Sequence, residues 1–240
     1  MVGRSGQVDR VDGEAVPGRV PGRVPGVVVV QLDEDPRWRD RLRRGSAVPL
    51  AFRSWGQAAT GSLGPLRGVL TLLDSRAACP SDELAGCVRS LSLLNPVVVS
   101  TRRDGAAVRA LLDAGAFNVL DRDESPGVLA ARLGADLRWL RRSRTPAAAG
   151  AGPVAAAPSF RTQALLLEVL CSLRGPVCCH DIRRLLGTPA SPMSLPALRA
   201  RIQRLDPYLA GEGLTCRRSG RWGADTITVH HRGEAAGRAA

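Results

Sequence analysis

Three carboxylates close an apolar, β-branched run: Val27-Val28-Val29-Val30-Gln31-Leu32 leads into Asp33-Glu34-Asp35 just before Pro36. A buried strand that ends in acids delivers them to one edge of a sheet, and parallel α/β domains build their sites along that edge. The same residues also have a purely structural reading, in which Asp35 caps a helix opened by Pro36 and the other acids face water. Two further apolar runs end in polar groups: Gly68 to Asp74 ends in a carboxylate, and Pro96 to Thr101 ends in two hydroxyls. A second set of chemistry-bearing residues lies near the C-terminus. At about 100° per residue, Leu195, Leu198, Ile202 and Leu205 share one helix face, leaving Ala197, Ala200, Gln203 and Arg204 opposite, flanked by Arg199 and Arg201. Gln and Arg read base edges with bidentate patterns, and small alanines let a groove wall approach. Arg217, Arg218 and Arg221 then gather beside Trp222 and Gly223, where a hairpin would carry them to phosphates or into a minor groove.

Composition narrows the chemistry. All 34 basic residues are arginine against 22 acids, a formal charge of +12 that favours an anionic partner, most often nucleic acid. With no lysine, neither a Schiff base nor a Walker-type phosphate loop can form. Cys79, Cys87, Cys171, Cys178, Cys179 and Cys216 contain no C-x-x-C pair, and Cys178-Cys179-His180 reads as buried free thiols beside a histidine. No secretory apolar segment follows Met1 and no run reaches membrane-spanning length, so the expectation is a cytoplasmic protein with reduced thiols and no membrane partner.

The elements that must position these residues alternate. Val16 to Gly26 repeats Val-Pro-Gly, so residues 1–26 are expected to be a flexible arm. Over residues 27–142, five strand signals alternate with helices, which predicts a doubly wound parallel α/β sheet of five strands. The helices are expected from Pro36 to Gly45, from Ser81 through Leu94, through Val108, Leu111 and Leu112 to Gly115, and from Ser125-Pro126 through Leu140, with at most one short helix in the Gly-rich stretch from Trp55 to Gly68. An Ala/Pro tract over 143–158 reads as a linker. Residues 159–232 then predict three helices (Gln163 to Leu173, Asp181 to Leu186, and Ser194 to about Leu205) and two strands, the succession of a small winged helix-turn-helix, with 233–240 as a tail. This segment holds 11 arginines against 5 acids, whereas 27–142 holds 17 against 13, so the basic excess concentrates in the shorter unit.

From Val27 to about His230 the order of these motifs resembles the two-component response regulators. Asp33-Glu34 matches the acid pair after the first strand, Asp74 in Leu72-Leu73-Asp74 the aspartate closing the third, and Thr101 the hydroxyl closing the fourth. Gly115 through Asp121 matches the segment before the family's lysine, which places Arg122 at that position. The resemblance implies a Mg²⁺ ion held by Asp33, Glu34 and Asp74, with Asp74 accepting a phosphoryl group from a histidine kinase or a small phosphodonor. Thr101 and Arg122 would then support the transferred oxygens. The chain departs from the pattern at Arg122, a planar fork where the family has a point charge, at Arg102 and Asp123, and at Val119, which has no ring to swing. Asp74 therefore keeps two readings, as phosphoacceptor or as part of a phosphorylation-independent dimerisation or ligand-sensing module.

The C-terminal part resembles the effector domain of OmpR-type regulators, implying duplex DNA as partner and Arg199, Arg201, Gln203, Arg204, Arg217, Arg218 and Arg221 as contacts. The family resemblance also implies a homodimer, formed through a face that would include Leu111, Leu112 and the Leu129–Leu140 helix. The expected function is a DNA-binding transcription regulator and not an enzyme. Two competitors are an interaction-only pseudo-receiver scaffold and a haloacid-dehalogenase-like phosphatase. The latter needs a downstream lysine that the chain lacks.

Overall fold

The computed structural model describes residues 26–55, 69–76, 81–102, 104–143, 161–221 and 224–231. The expected arm up to residue 25, the Gly-rich stretch 56–68, the linker from 144, residues 222–223 of the expected turn and the tail lie outside the described residues.

The valine run forms β1 (Val27–Gln31), buried at every position. Val27 and Val29 face one side of the sheet and Val28 and Val30 the other, as a two-residue period requires. Both sides are covered, so each valine contributes roughly 1.5–3 kcal/mol of burial and no polar residue interrupts the run. β2 (Leu50–Ser54), β3 (Leu70–Asp74), β4 (Val97–Thr101) and β5 (Asn118–Asp121) join it, all parallel. Among the described residues the sheet has five strands in the order β2-β1-β3-β4-β5, the flavodoxin-like doubly wound arrangement expected from the alternating pattern. Register places Gln31 level with Asp74, Asp74 level with Ser100, and Thr101 level with Asp121.

One sheet face is covered by α1 (Pro36–Gly45) and α4 (Pro126–Ser143) through Trp38, Leu42, Leu129, Leu133 and Leu137. α2 (Ser81–Ser92) and α3 (Gly105–Asp113) cover the other through Leu84, Cys87, Val88, Leu91 and Leu111. Helical periodicity thus turns Leu111, Leu129, Leu133 and Leu137 into the core, which corrects their assignment to a face for a second copy. The large apolar side chains exposed on these helices are Leu112, Val128 and Trp139, with Trp139 resting against Phe117 at a ring-centroid distance of 5.2 Å.

The second unit contains α5 (Arg161–Ser172), β6 (Val177–Cys178), α6 (Cys179–Leu186), α7 (Leu195–Gly211), β7 (Leu214–Arg221) and β8 (Ala224–His231). Its sheet is antiparallel in the order β6-β8-β7. β6 has only two residues, too few for a periodic signal, and escapes sequence reading. α7 runs past the expected Leu205 and contains Pro207, because buried Leu205 and Leu209 hold its last turns on the core. Gly213, with φ of 69°, then turns the chain into β7.

α6 packs on α2, joining the two units. The Trp55 indole N–H donates to the Arg184 carbonyl at 3.1 Å, and Arg89 pairs with Asp181 at 3.4 Å. The Arg184 side chain, buried at the joint, lies in a notch left by Gly86, where any Cβ would run into its guanidinium. Arg184 also donates to His180 Nε2 at 3.1 Å. Gly86→Leu is therefore expected to displace Arg184 and release α6 from α2 without unfolding either unit. Hydrogen exchange would read this as lost protection confined to those two helices, with unchanged far-ultraviolet circular dichroism.

Candidate functional site

The C-terminal edge of the parallel sheet gathers a buried polar cluster. Asp74, the last residue of β3, is fully shielded from solvent because β1 and β4 flank it on both sides. Arg122, one residue beyond β5, reaches back across the edge. Its Nε–H donates to Asp74 Oδ1 at 2.8 Å, while Nη2–H donates to Asp35 Oδ2 at 2.9 Å and, at 3.4 Å, to Asp74 Oδ2. Gln31 also donates to Asp74 Oδ2, at 3.4 Å, and its own Oε1 accepts from Arg39 at 3.1 Å. The Arg122 guanidinium lies over the ring of Trp38, 5.2 Å from its centroid.

The electrostatics follow from burial and pairing. Burial pushes the Asp74 carboxyl up from its ordinary value, against the pull of Arg122, Gln31 and Ser100. Burial works against the charge on Arg122, but its hydrogen bonds to Asp74 and Asp35 outweigh that and raise its pKa. The hydrogen bond from Arg122, and then that from the Trp38 backbone N–H, holds Asp35 below the usual carboxylate range.

The structure rearranges the acids expected at this edge. β1 ends at Gln31, two residues before Asp33, so an amide rather than a carboxylate stands level with Asp74. Asp33 accepts from the Arg76 backbone N–H at 3.2 Å and Glu34 is exposed. The expected set of Asp33, Glu34 and Asp74 is therefore not assembled, and among the described residues no three Asp, Glu, His or Cys side chains converge as metal ligands. A Mg²⁺ ion does not fit this edge as it stands: Arg122 bridges the two carboxylates that face each other, and Gln31 turns its donor toward Asp74. Asp35, read from sequence only as a cap, both caps α1, accepting from Trp38 N–H at 3.1 Å, and completes the cluster. Thr101 is buried one residue past the level of Asp74, and its carbonyl accepts from the Arg122 backbone N–H at 3.0 Å. Asp123 and Arg102 pair with each other at 3.5 Å on the surface, away from the cluster, and Val119 is a core residue.

The second set of expected residues lies on α7 and the hairpin. Ser194 caps α7 through the Ala197 N–H at 3.3 Å, and the apolar face of α7 packs inward. Arg199, Ala200, Gln203 and Arg204 are exposed and Arg201 is half-buried. Arg204 folds back to donate to the Ala200 carbonyl at 3.1 Å, and Arg199 leans toward Asp225 of β8 at 3.8 Å. Arg217 and Arg218 are both exposed, yet strand alternation sends them to opposite faces of the hairpin. Arg218 pairs in register with buried Ile227, and its charge acts on the Cys179 thiol at the start of α6. The backbone of Arg221 closes β7; its side chain lies outside what is described. Sequence reading missed Gln31, Arg39, Trp38 and Arg184. Only Gln31 carried a usable signal, as the residue ending the valine run.

No family model and no curated protein matches the chain. Among solved structures it is similar to the signal receiver domain of the response regulator NarL from Mycobacterium tuberculosis, with 22% identity over 48% of this chain and 97% of that one at a TM-score of 0.37. It is also similar to the Mn2+-bound form of the response regulator Rcp1, with 18% identity over 50% of this chain and 98% of that one at a TM-score of 0.34. A third, the response regulator ChrA of a heme-sensing two-component system, has 19% identity over 78% of this chain and 92% of that one at a TM-score of 0.33. Strand order and parallel register define the fold.

Removing Arg122 leaves a buried carboxylate without its charged partner. Arg122→Ala is expected to destabilise the protein by about 3–5 kcal/mol, and Asp74→Asn by less, as measured by chemical denaturation. Asp35 has a lowered folded pKa, so its contribution is complete above its ordinary value of 3.8 and is lost as pH falls through the folded value. The stability gap between wild type and Asp35→Asn should therefore close as pH is lowered from about 5 to about 2.

Proposed function

We propose that the chain is a DNA-binding transcription regulator of the response-regulator type, with a receiver-like unit over 27–142 and a winged-helix unit over 159–232. It acts by binding rather than catalysis. The observation that carries this reading is the outward face of α7, where Arg199, Ala200, Gln203 and Arg204 are exposed beside a basic hairpin. A helix with small and base-reading side chains outward suits a major groove, and a neighbouring arginine hairpin suits the flanking backbone. The succession of three helices and a hairpin, with β6 pairing to β8, supports a winged helix-turn-helix. The formal charge of +12 supports a polyanionic partner.

In this reading the protein works in the cytoplasm, and no described helix is long and apolar enough to cross a membrane. A second copy binds at the β5 edge of the sheet, flanked by α3 and α4, which gives two reading heads and paired half-sites on DNA. A histidine kinase is a partner only if the acid edge accepts phosphate.

Selection of bound duplexes from random DNA, followed by fluorescence anisotropy across salt concentrations, tests the proposal. Affinity should fall steeply with salt. Arg204→Ala should cost about 1–3 kcal/mol on the preferred sequence and relax preference there, whereas Arg218→Ala should weaken all sequences alike and lower the salt slope by about one. Salt-insensitive binding, or no enriched sequence, would instead make the second unit a protein-interaction module.

A further inference from the structure

The acid edge already holds a cation, and that cation belongs to the chain. We propose that Arg122 is the permanent counter-charge of Asp74, standing where a divalent ion and a phosphoryl group would have to sit, so that the first unit is held in one state without metal or phosphodonor. The inference deepens the receiver-like reading of this unit and rests on it.

Three features of the cluster carry it. First, both oxygens of Asp74 are engaged: Oδ1 by Arg122 Nε, and Oδ2 by Arg122 Nη2 and Gln31 Nε2. A carboxylate with no solvent exposure and both oxygens occupied offers no open approach to an incoming phosphorus atom. Second, the other oxygens of this cluster are already accepting hydrogen bonds. Asp35 Oδ2 takes Arg122 Nη2 at 2.9 Å, and Gln31 Oε1 takes Arg39 Nε at 3.1 Å. A hard dication needs several free oxygen donors, whereas a guanidinium matches two carboxylates with its own fixed fork. Third, the guanidinium is fastened on its far side. Its side chain is only 10% exposed, and buried Trp38 lies against its face. Guanidinium is weakly hydrated, so it tolerates this site where an ammonium or a hydrated ion would lose more solvation. For a metal to enter, Arg122 would have to leave Asp74, Asp35 and Trp38 together.

The residues Arg122 joins belong to different elements: Asp74 ends β3, Asp35 caps α1, and Arg122 follows β5. The contact therefore ties the first helix and the last strand of the unit to the middle of the sheet. In this arrangement the β5 end has no second position to adopt while Asp74 is unmodified.

The test uses the full chain. Wild type is incubated with Mg²⁺ and a small acyl phosphate, then weighed intact, and in parallel titrated with Mn2+ while the Trp38 indole N–H resonance is followed, with Trp38→Phe supplying the assignment. The expected results are no added phosphate mass, no saturable broadening of that resonance, and duplex affinity unchanged within twofold by the donor. Phosphate on Asp74, saturable Mn2+ broadening, or a tenfold change in duplex affinity overturns the proposal. Arg122→Ser should free Asp74 and Asp35 and gain saturable Mn2+ broadening; a folded Arg122→Ser without that gain counts against Arg122 as the excluding group. If Arg122→Ser does not fold, Arg122→Gln takes its place with the same criterion. Failure of wild type to bind any duplex would defeat the regulator reading alone, because the metal and phosphate measurements do not depend on DNA.

Discussion

A carboxylate fully withdrawn from water at the end of a central strand has to be compensated, and the pairing of Asp74 with Arg122 is that compensation. The alternative, a carboxylate between β1 and β4 with no cation beside it, would cost several kcal/mol or force the group to take up a proton. The pair also shapes its surroundings. Thr101 anchors the Arg122 backbone N–H beside the cluster, and Asp35 takes the other side of the guanidinium. Asp35 in turn starts α1, which places Trp38 over the guanidinium. A helix cap, a strand end and a cation–π contact are thus parts of one arrangement.

The second unit is fixed by different physics. Its own core is small, and it gains from packing α6 on α2, where Arg184 fits a notch that only glycine leaves open. Trp55 and α2, which hold it, follow β2 and β3, the strands that end at the level of Gln31 and Asp74. The buried cluster and the joint therefore grow from the same sheet edge. The exposed face of α7 remains free in this arrangement, so the joint presents the arginines and Gln203 instead of covering them.

Much of the fold was legible from residue order, and particular residues explain why. The four consecutive valines read as a strand covered on both faces, and Pro36, Gly115 and Ser125-Pro126 marked helix limits by local backbone chemistry. Local preference could not supply β6, whose two residues form a strand only because β8 lies beside them, nor the length of α7, which continues through Pro207 because the core holds Leu205 and Leu209. The same limit applied to surfaces. Leucine spacing on α3 and α4 was visible, but its direction, inward to the sheet, required the sheet.

By itself the sequence determined that acids and hydroxyls follow the apolar runs, that the positive charge is all arginine, and that a helix near the C-terminus carries glutamine and arginine on its polar side. These follow from composition and period, which are local. Only the tertiary structure decided that Gln31 rather than Asp33 lies level with Asp74, that Asp35 closes the cluster, and that Arg122 fills the space between them. Those facts depend on strand register and on the reach of a side chain across the sheet edge. Residues 48 and 87 positions apart meet there only after the strands have aligned.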